Sequence, residues 1–271
     1  MIPAGYSFAR FQLQRVIESG RASAALSLLP RIIAPTVLIV LLQQLRHREF
    51  ALSPLLLFSN FIHAPGDVFS YWFIEVFVQI HLLLALALTS AWLRAQLRDQ
   101  AYQTSVILVL LSATCSAIAP HVWNTQHLGN LLPHFAFWYF LIGWCTLFAA
   151  ERWQRWLNSA LIVGLPLLFF PGSSRAAWIT FGGLFLNWAP AINLPTWLAR
   201  TVTTVAAASL YIYISHFLIL ESVDELLPAA GFVGQVVVAL LVGVAFWFCF
   251  EKVWQWARSV ARKARQGSAP S

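Results

Sequence analysis

The chain has 271 residues, of which 59% are apolar and only 10% are charged, against roughly 25% charged residues in an ordinary soluble domain. The mean hydropathy is +0.71, and 17 Lys and Arg residues against 10 Asp and Glu residues give a net charge of +7. These values exclude a soluble globular domain, a disordered chain and a disulfide-stapled secreted module, and they favour a protein whose main partner is the lipid bilayer.

Eight segments of the chain are candidate membrane spans, because a helix that crosses the hydrocarbon core needs about 20 mostly apolar residues. They lie at 27–45, 69–93, 104–120, 131–150, 157–171, 176–192, 202–221 and 230–250. The pattern predicts an all-α, polytopic transmembrane bundle of about eight helices in residues 1–250. The stretch from Leu52 to Ile62 is too short to span and is interpreted as an interfacial segment on the outer face, with a ninth span as the alternative.

The basic residues predict the orientation of these spans. If the N-terminus is cytoplasmic, 14 of the 17 Lys and Arg residues fall on the cytoplasmic side, and only Arg46, Arg48 and Arg175 fall outside. Cytoplasmic loops of membrane proteins carry such an excess of Lys and Arg. We therefore expect a multi-pass protein of a bacterial-type inner membrane with both termini in the cytoplasm. The positive charge then needs no nucleic-acid partner.

The last part of the chain, residues 251–271, forms a basic cytoplasmic tail in this interpretation. Apolar residues recur there at helical spacing, while Arg258, Arg262 and Arg265 line another face. Such a pattern is typical of a short helix on the anionic inner leaflet. A frayed basic tail is the alternative.

The second predicted span carries polar residues on one helical face. Trp72, Glu75 and Gln79 are spaced i, i+3 and i+7, so they share that face. Ionisable groups inside spans are costly and by default mark function. Glu75 has no cation within one helical turn, so its partner is expected from another span, and a structural hydrogen bond between helices is the alternative to a catalytic role. His81 lies about 120° around the helix from Glu75 and is interpreted as a structural residue.

The seventh predicted span carries a second polar face. Ser209, Tyr213 and His216 are spaced i, i+4 and i+7. A hydroxyl, a phenol and an imidazole that face a bundle interior can shuttle a proton or hold a polar substrate. The same side chains also form ordinary hydrogen bonds between membrane helices.

Other chemically capable residues give weaker signals. Arg31, at the cytoplasmic start of the first span, is a candidate to bind a phosphate-bearing donor, with snorkelling to lipid headgroups as the alternative. Cys115, Cys145 and Cys249 lie in apolar segments without a CxxC pair and are interpreted as small buried hydrophobes. No metal site is predicted, because no metal-ligand spacing such as HxxxH occurs among the histidines that this topology places on the outer side, which are His63, His121, His127 and His134.

Five short motifs occur in an order and spacing that carry a family resemblance. They are Ala4-Gly5-Tyr6, the start of the second span with Trp72 and Glu75, Phe140-to-Gly143 (F-L-I-G), Ser209-to-His216 (S-x-Y-x-Y-x-x-H) and Glu251-Lys252. The chain thereby resembles the acyltransferase 3 family of integral-membrane enzymes over nearly its whole length.

The resemblance implies a bundle of about ten helices that moves an acyl group, often acetyl, from acyl-CoA to a hydroxyl of a glycan or another small acceptor. Glu75, Tyr213 and His216 are then the expected catalytic residues, and Arg31, Trp72, Gln79 and Ser209 the expected substrate-binding residues. No permanently bound cofactor is implied, since acyl-CoA is the donor substrate.

Two features depart from the family pattern. The catalytic His of the family lies in a span that precedes the element matched by Ala4-Gly5-Tyr6, so no residue here matches it, and the chain is expected to lack the first one or two helices of the family. The family's R-x-x-R pair is reduced to Arg31, flanked at that spacing by Leu28 and Ala34. A transporter or flippase and an inactive membrane scaffold therefore stay open as alternatives.

Overall fold

The computed structural model describes residues 1–62, 71–123, 131–189, 191–226 and 231–267, and the regular structure in these ranges is entirely helical. The all-α prediction is confirmed. The helices are α1 (Ile2–Phe8), α2 (Gln14–Ser19), α3 (Leu29–His47), α4 (Leu52–Leu55), α5 (Trp72–Ala87), α6 (Ala91–Asp99), α7 (Ala101–Trp123), α8 (Pro133–Phe148), α9 (Arg152–Phe169), α10 (Ser174–Trp188), α11 (Thr196–Leu226) and α12 (Gly231–Gly267).

Four stretches of helix in the described part of the chain are long and apolar enough to cross a membrane. They are Ala22–His47, Ala101–Val122, Thr196–Val223 and Gly231–Val260, and α5 with α6 would add a fifth if that bent pair is one span. The predicted number of eight spans is not supported. Helices occur at the other predicted positions, but α8 and α10 have only 16 and 15 residues, about 24 and 22 Å at 1.5 Å per residue. The hydrocarbon core is about 30 Å thick.

The chain divides into two compact units. The first contains residues 1–31 and 51–192, and the second contains residues 32–50 and 193–271. The first unit therefore holds α1, α2 and α4 to α10, while the second holds most of α3 together with α11 and α12.

Helix α8 forms the core of the first unit. Residues Phe140 to Cys145 are all buried, as is Trp138, so the helix is apolar and covered around its circumference. Helices α1, α5, α7, α9 and α10 pack against it. Phe8 of α1 stacks on Trp144 at a ring-centroid distance of 5.6 Å. A helix that is hydrophobic all round is expected in such an interior position.

The N-terminal residues belong to this core, although their composition did not predict a span. A π-helical turn, Ala9–Leu13, joins α1 and α2 without leaving helical backbone angles. The apolar face of this segment is buried through Phe8, Leu13 and Val16, whereas Arg10 and Arg15 are exposed. This amphipathic pattern buries the apolar side chains in the core and leaves the two arginines at the surface.

Two glycines allow the backbones of α1 and α8 to touch. A methyl group on Gly5 would lie 1.7 Å from the carbonyl oxygen of Phe140, and one on Gly143 would lie 2.3 Å from that of Ile2. Both positions therefore exclude any larger residue unless the helices separate. Close approach through small residues is the usual way to pack helices in lipid, where burial of apolar side chains gives little driving force.

The second predicted span, 69–93, ends earlier than expected. Helix α5 stops at Ala87, and α6 starts at Ala91 after a bend of 98°. Arg94 stabilises the bend, because its Nη1 donates to the carbonyls of Leu88 at 2.6 Å and Thr89 at 2.8 Å. A cation that caps the last carbonyls of a helix is favoured by the helix dipole.

The second unit is built on an α11–α12 hairpin. Tyr211 packs its ring against Phe246 and Phe250, at centroid distances of 5.4 and 5.5 Å. Gly243 allows close contact, since a methyl group there would lie 2.6 Å from the Cα of Ile212. Helix α12 runs unbroken through Gly267, so the tail predicted at 251–271 begins inside a helix.

An ion-pair cluster joins the ends of α3 and α11 in the same unit. Arg46 donates to Glu225 at 2.6 Å and to Ser222 at 2.9 Å. His47 Nε2 lies 3.4 Å from a carboxylate oxygen of Glu221. The topology deduced from the charges also places these two helix ends on one side of the membrane, whereas the identity of that side stays a prediction.

The glycine contact between α1 and α8 gives a stability prediction. We expect Gly5→Ala and Gly143→Ala each to lower the free energy of unfolding by about 1–3 kcal/mol, the usual cost of overpacking, because backbone atoms rather than flexible side chains must move. Unfolding of the detergent-solubilised protein, followed by tryptophan fluorescence, measures this change.

Gly164→Ala in α9 is the matched control, since no atom lies within 4 Å of the added methyl group. It should leave stability unchanged or raise it, because Ala favours helix more than Gly does. Equal stability of Gly5→Ala and the wild type would contradict the proposed contact.

Candidate functional site

Glu75, the acidic residue predicted to carry function, is almost fully buried, with 1% of its surface exposed. It lies in the first turn of α5. Its Oε1 accepts hydrogen bonds from the Ser59 hydroxyl at 2.5 Å and the Ser59 amide at 3.1 Å, and its Oε2 accepts one from the Asn60 amide at 2.8 Å. Three donors thus compensate the cost of burying the carboxylate.

Gln79 extends this cluster by one helical turn. Its side chain exchanges two hydrogen bonds with the side chain of Asn60, at 2.8 and 3.0 Å, and also donates to the carbonyl of Leu57 at 3.0 Å. Asn60 donates further to the carbonyl of Leu131 at 2.9 Å. We call Ser59, Asn60, Glu75 and Gln79 the Glu75 cluster. Its shared hydrogen bonds fasten residues 57–60 to α5 and to the start of the α8 region.

The segment held by this cluster follows an unusual turn. Leu57 has a φ of 58°, in the left-handed region that a branched apolar residue rarely adopts. Such a conformation costs of order 1–3 kcal/mol and persists only where its surroundings enforce it. The hydrogen bond from Gln79 to the Leu57 carbonyl helps to hold Leu57 in this conformation.

The predicted interfacial segment from Leu52 to Ile62 is therefore attached to α5. It consists of α4 and a 3₁₀ turn, Ser59–Phe61, with Ser53, Ser59 and Asn60 buried. Five of its large apolar side chains are exposed, whereas Leu57 is buried and Leu55 is half-buried. The exposed ones are Leu52, Leu56, Phe58, Phe61 and Ile62. The position of this segment relative to the membrane surface stays a prediction.

The other residues predicted near Glu75 have separate surroundings. Trp72 is half-buried, and its ring contacts Phe73 edge-on at 6.1 Å. His81 is fully buried beside the rings of Phe77 and Phe8, at 4.1 and 5.0 Å. Its Nδ1 pairs with the carbonyl of Phe77 at 2.8 Å. This packing accounts for His81 as a core residue.

The second polar face falls in the second unit. His216 and Tyr213 are half-buried, and Nδ1 of His216 pairs with the backbone carbonyl of Tyr213. Ser209 is exposed and bonds to the carbonyl of Ala206 at 2.8 Å. The buried face of α11 is instead formed by Ala208, Tyr211, Ile214 and Ser215. Ser209 therefore lies beside the buried stripe of α11 rather than in it, and its predicted role in substrate binding stays a prediction.

Arg31 is half-buried in the first turn of α3 and belongs to the first unit. Trp72, Glu75 and Gln79 belong to the same unit, whereas Ser209, Tyr213 and His216 belong to the second.

Sequence reasoning missed a buried polar network between α9 and α10. Asn158 donates to Asn187 Oδ1 at 2.8 Å and to Thr146 at 2.9 Å, and Asn187 donates to Ser159 at 3.1 Å. The Trp188 indole also donates to Ser159 at 2.9 Å. Two Asn-containing dipeptides in otherwise apolar stretches, Asn158-Ser159 and Asn187-Trp188, were the available signal. The Ser59-Asn60 dipeptide gave the same signal for the Glu75 cluster.

The described residues contain no group of three or more His, Cys, Asp or Glu side chains placed to hold a metal ion. His63 and His127 lie outside the described residues. His121 is exposed and His134 is half-buried.

Apolar helices of spanning length, polar residues paired inside the protein and glycine-mediated helix contacts define a multi-pass helical membrane protein. No family model, no curated protein and no solved structure matches this chain.

The Glu75 cluster predicts a local effect of Glu75→Gln. The amide nitrogen of Gln cannot accept a hydrogen bond, so at least one donor of Ser59 or Asn60 loses its partner. Hydrogen bonds to charged groups contribute about 1.5–3 kcal/mol. We therefore expect amide hydrogen exchange in residues 52–62 to accelerate by about ten- to a hundredfold, measured by mass spectrometry.

The exposed Glu18 provides the control, since Glu18→Gln removes the same charge from the same unit without a buried donor set. Its exchange in residues 52–62 should equal that of the wild type. Unchanged exchange in Glu75→Gln would show that the carboxylate does not hold the segment.

Proposed function

We propose that this protein is a membrane-bound acyltransferase that moves an acyl group, often acetyl, from acyl-CoA to a hydroxyl of a glycan or another small acceptor. The order and spacing of its five motifs support this proposal. The observation that carries it is the environment of His216, the last residue of the longest of those motifs.

The hydrogen bond of His216 determines which ring nitrogen is basic. A backbone carbonyl can only accept, so Nδ1, which pairs with the Tyr213 carbonyl, carries the proton. Nε2 of the neutral ring then has a free lone pair. A half-buried imidazole in this tautomer has an acceptor nitrogen that can take a proton from a substrate hydroxyl.

In the proposed reaction, the lone pair on Nε2 of His216 accepts a proton. His216 Nε2 takes the proton of the acceptor hydroxyl while the hydroxyl oxygen attacks the thioester carbonyl. The carbon–sulfur bond breaks, and the CoA thiolate leaves with the electron pair and is then protonated. Tyr213, which is half-buried on the same helix as His216, would bind the acceptor. Glu75 has a separate role in the first unit, where it holds residues 59 and 60.

A scaffold without catalysis is the second candidate. The observation that favours it is the Glu75 cluster, in which Glu75, Gln79 and Asn60 use their polar groups on one another and on backbone atoms. Such contacts stabilise membrane helices without any chemistry.

The proposal is tested with the full chain in lipid nanodiscs, with radiolabelled acetyl-CoA and a panel of oligosaccharide acceptors. Release of the CoA thiol and transfer of label to the acceptor are both measured. We expect His216→Ala to reduce both by about 10²–10⁴-fold, the usual contribution of a general base.

His121→Ala is the matched control, because His121 is exposed at the end of α7. It should transfer label at the wild-type rate. Full activity of His216→Ala would overturn the role of that residue, and thiol release no higher than in empty nanodiscs would overturn the acyltransferase proposal in favour of the scaffold.

A further inference from the structure

A cavity of about 270 Å³ lies in the first unit, between the start of α1 and α10. Residues 1–3 and Tyr139 line one side, and Trp178, Ile179, Gly182 and Gly183 of α10 line the other. Of the two glycines, Gly182 leaves open space, whereas a methyl group on Gly183 would lie 2.7 Å from the side chain of Ile162. No heavy atom of another residue lies within 4 Å of the position that a Cβ of Gly182 would take.

The surroundings of the cavity are apolar and face outwards. Trp178, Phe181 and Phe185 form one exposed stripe along α10, with 73, 67 and 50% of their surfaces accessible. On a membrane protein, an exposed apolar stripe of this kind is suited to contact with lipid hydrocarbon. The bilayer is therefore the nearest source of a ligand that enters from this side.

A positive charge lies on the same side of α10. Arg175 precedes Trp178 by three residues, so the two side chains are neighbours on the helix surface. Arg175 is exposed, and its guanidinium lies 5.3 Å from the centre of the Phe170 ring. Guanidinium groups bind phosphate oxygens in a bidentate manner.

We propose that this cavity binds one acyl chain of an anionic bilayer phospholipid, whose phosphate lies at Arg175. An apolar cavity of about 150 Å³ accommodates benzene, so 270 Å³ admits roughly ten methylene carbons. The position of Trp178 and Tyr139 at the cavity fits this amphiphile, since such rings prefer the boundary between hydrocarbon and headgroups. This site is independent of the proposed acyl transfer.

The experiment uses phosphatidylglycerol that carries a photoreactive diazirine midway along one acyl chain, in phosphatidylcholine nanodiscs containing the full chain. After illumination, labelled peptides are identified by mass spectrometry. We expect labelling to concentrate at Tyr139 and at Trp178 to Gly183. Gly182→Phe should lower it at least about tenfold, because the added ring occupies the space of the acyl chain and a close-packed site cannot hold both.

Gly164→Phe is the matched control, because it also places an aromatic ring at an open helical glycine but lies away from the cavity. Its labelling should equal that of the wild type. Gly182→Phe and Gly164→Phe should both unfold at the wild-type temperature. Gly182→Leu provides a second variant with a smaller side chain. Arg175→Gln should reduce labelling by phosphatidylglycerol to the level of a phosphatidylcholine probe.

Three results would overturn the proposal. The first is equal labelling of Gly182→Phe and the wild type, which indicates ordinary contact with surrounding lipid. The second is loss of labelling in Gly164→Phe as well. The third is labelling of the cavity by a photoreactive acyl-CoA while the phospholipid probe leaves it unlabelled, which assigns the site to a donor from the aqueous phase.

Discussion

The first unit depends on the backbone contact between α1 and α8. In lipid, apolar side chains gain little by leaving their surroundings, so helices associate through close packing and hydrogen bonds. Gly5 and Gly143 remove the side chains that would hold the two backbones apart. This approach brings Phe8 onto Trp144 and beside His81. The aromatic core is therefore a consequence of two residues that contribute no side-chain surface.

A second constraint is the free-energy cost of burying polar groups in an apolar interior. The Asn158–Asn187 network satisfies it with side-chain amides and hydroxyls bonded to each other or to backbone carbonyls. The Glu75 cluster adds a carboxylate that accepts from a hydroxyl and from two backbone amides. In both places the sequence inserts a short polar dipeptide into an apolar stretch. Each dipeptide connects neighbouring elements and fixes their relative position within the unit.

The sequence predicted the helical class and the positions of most helices, because apolar composition and helix-breaking residues are local properties. It predicted the burial of Glu75, since an acid in an apolar segment must face protein. It did not predict the donors, because Ser59 and Asn60 precede Glu75 by 16 and 15 residues and follow a turn at Leu57 that no composition signals. The exposure of Ser209 could not be predicted for another reason: its spacing with Tyr213 and His216 defines a helical face but not the direction in which that face points.

Helix α12 has one geometric consequence. Its 37 residues extend about 55 Å, whereas a hydrocarbon core measures about 30 Å. Roughly 25 Å of unbroken helix therefore projects from the bilayer whenever the span is upright. An unbroken helix transmits rotation as a rigid rod, so a small tilt inside the membrane becomes a larger displacement at the far end. A molecule that binds the projecting end and moves it therefore changes the packing of α12 on α11.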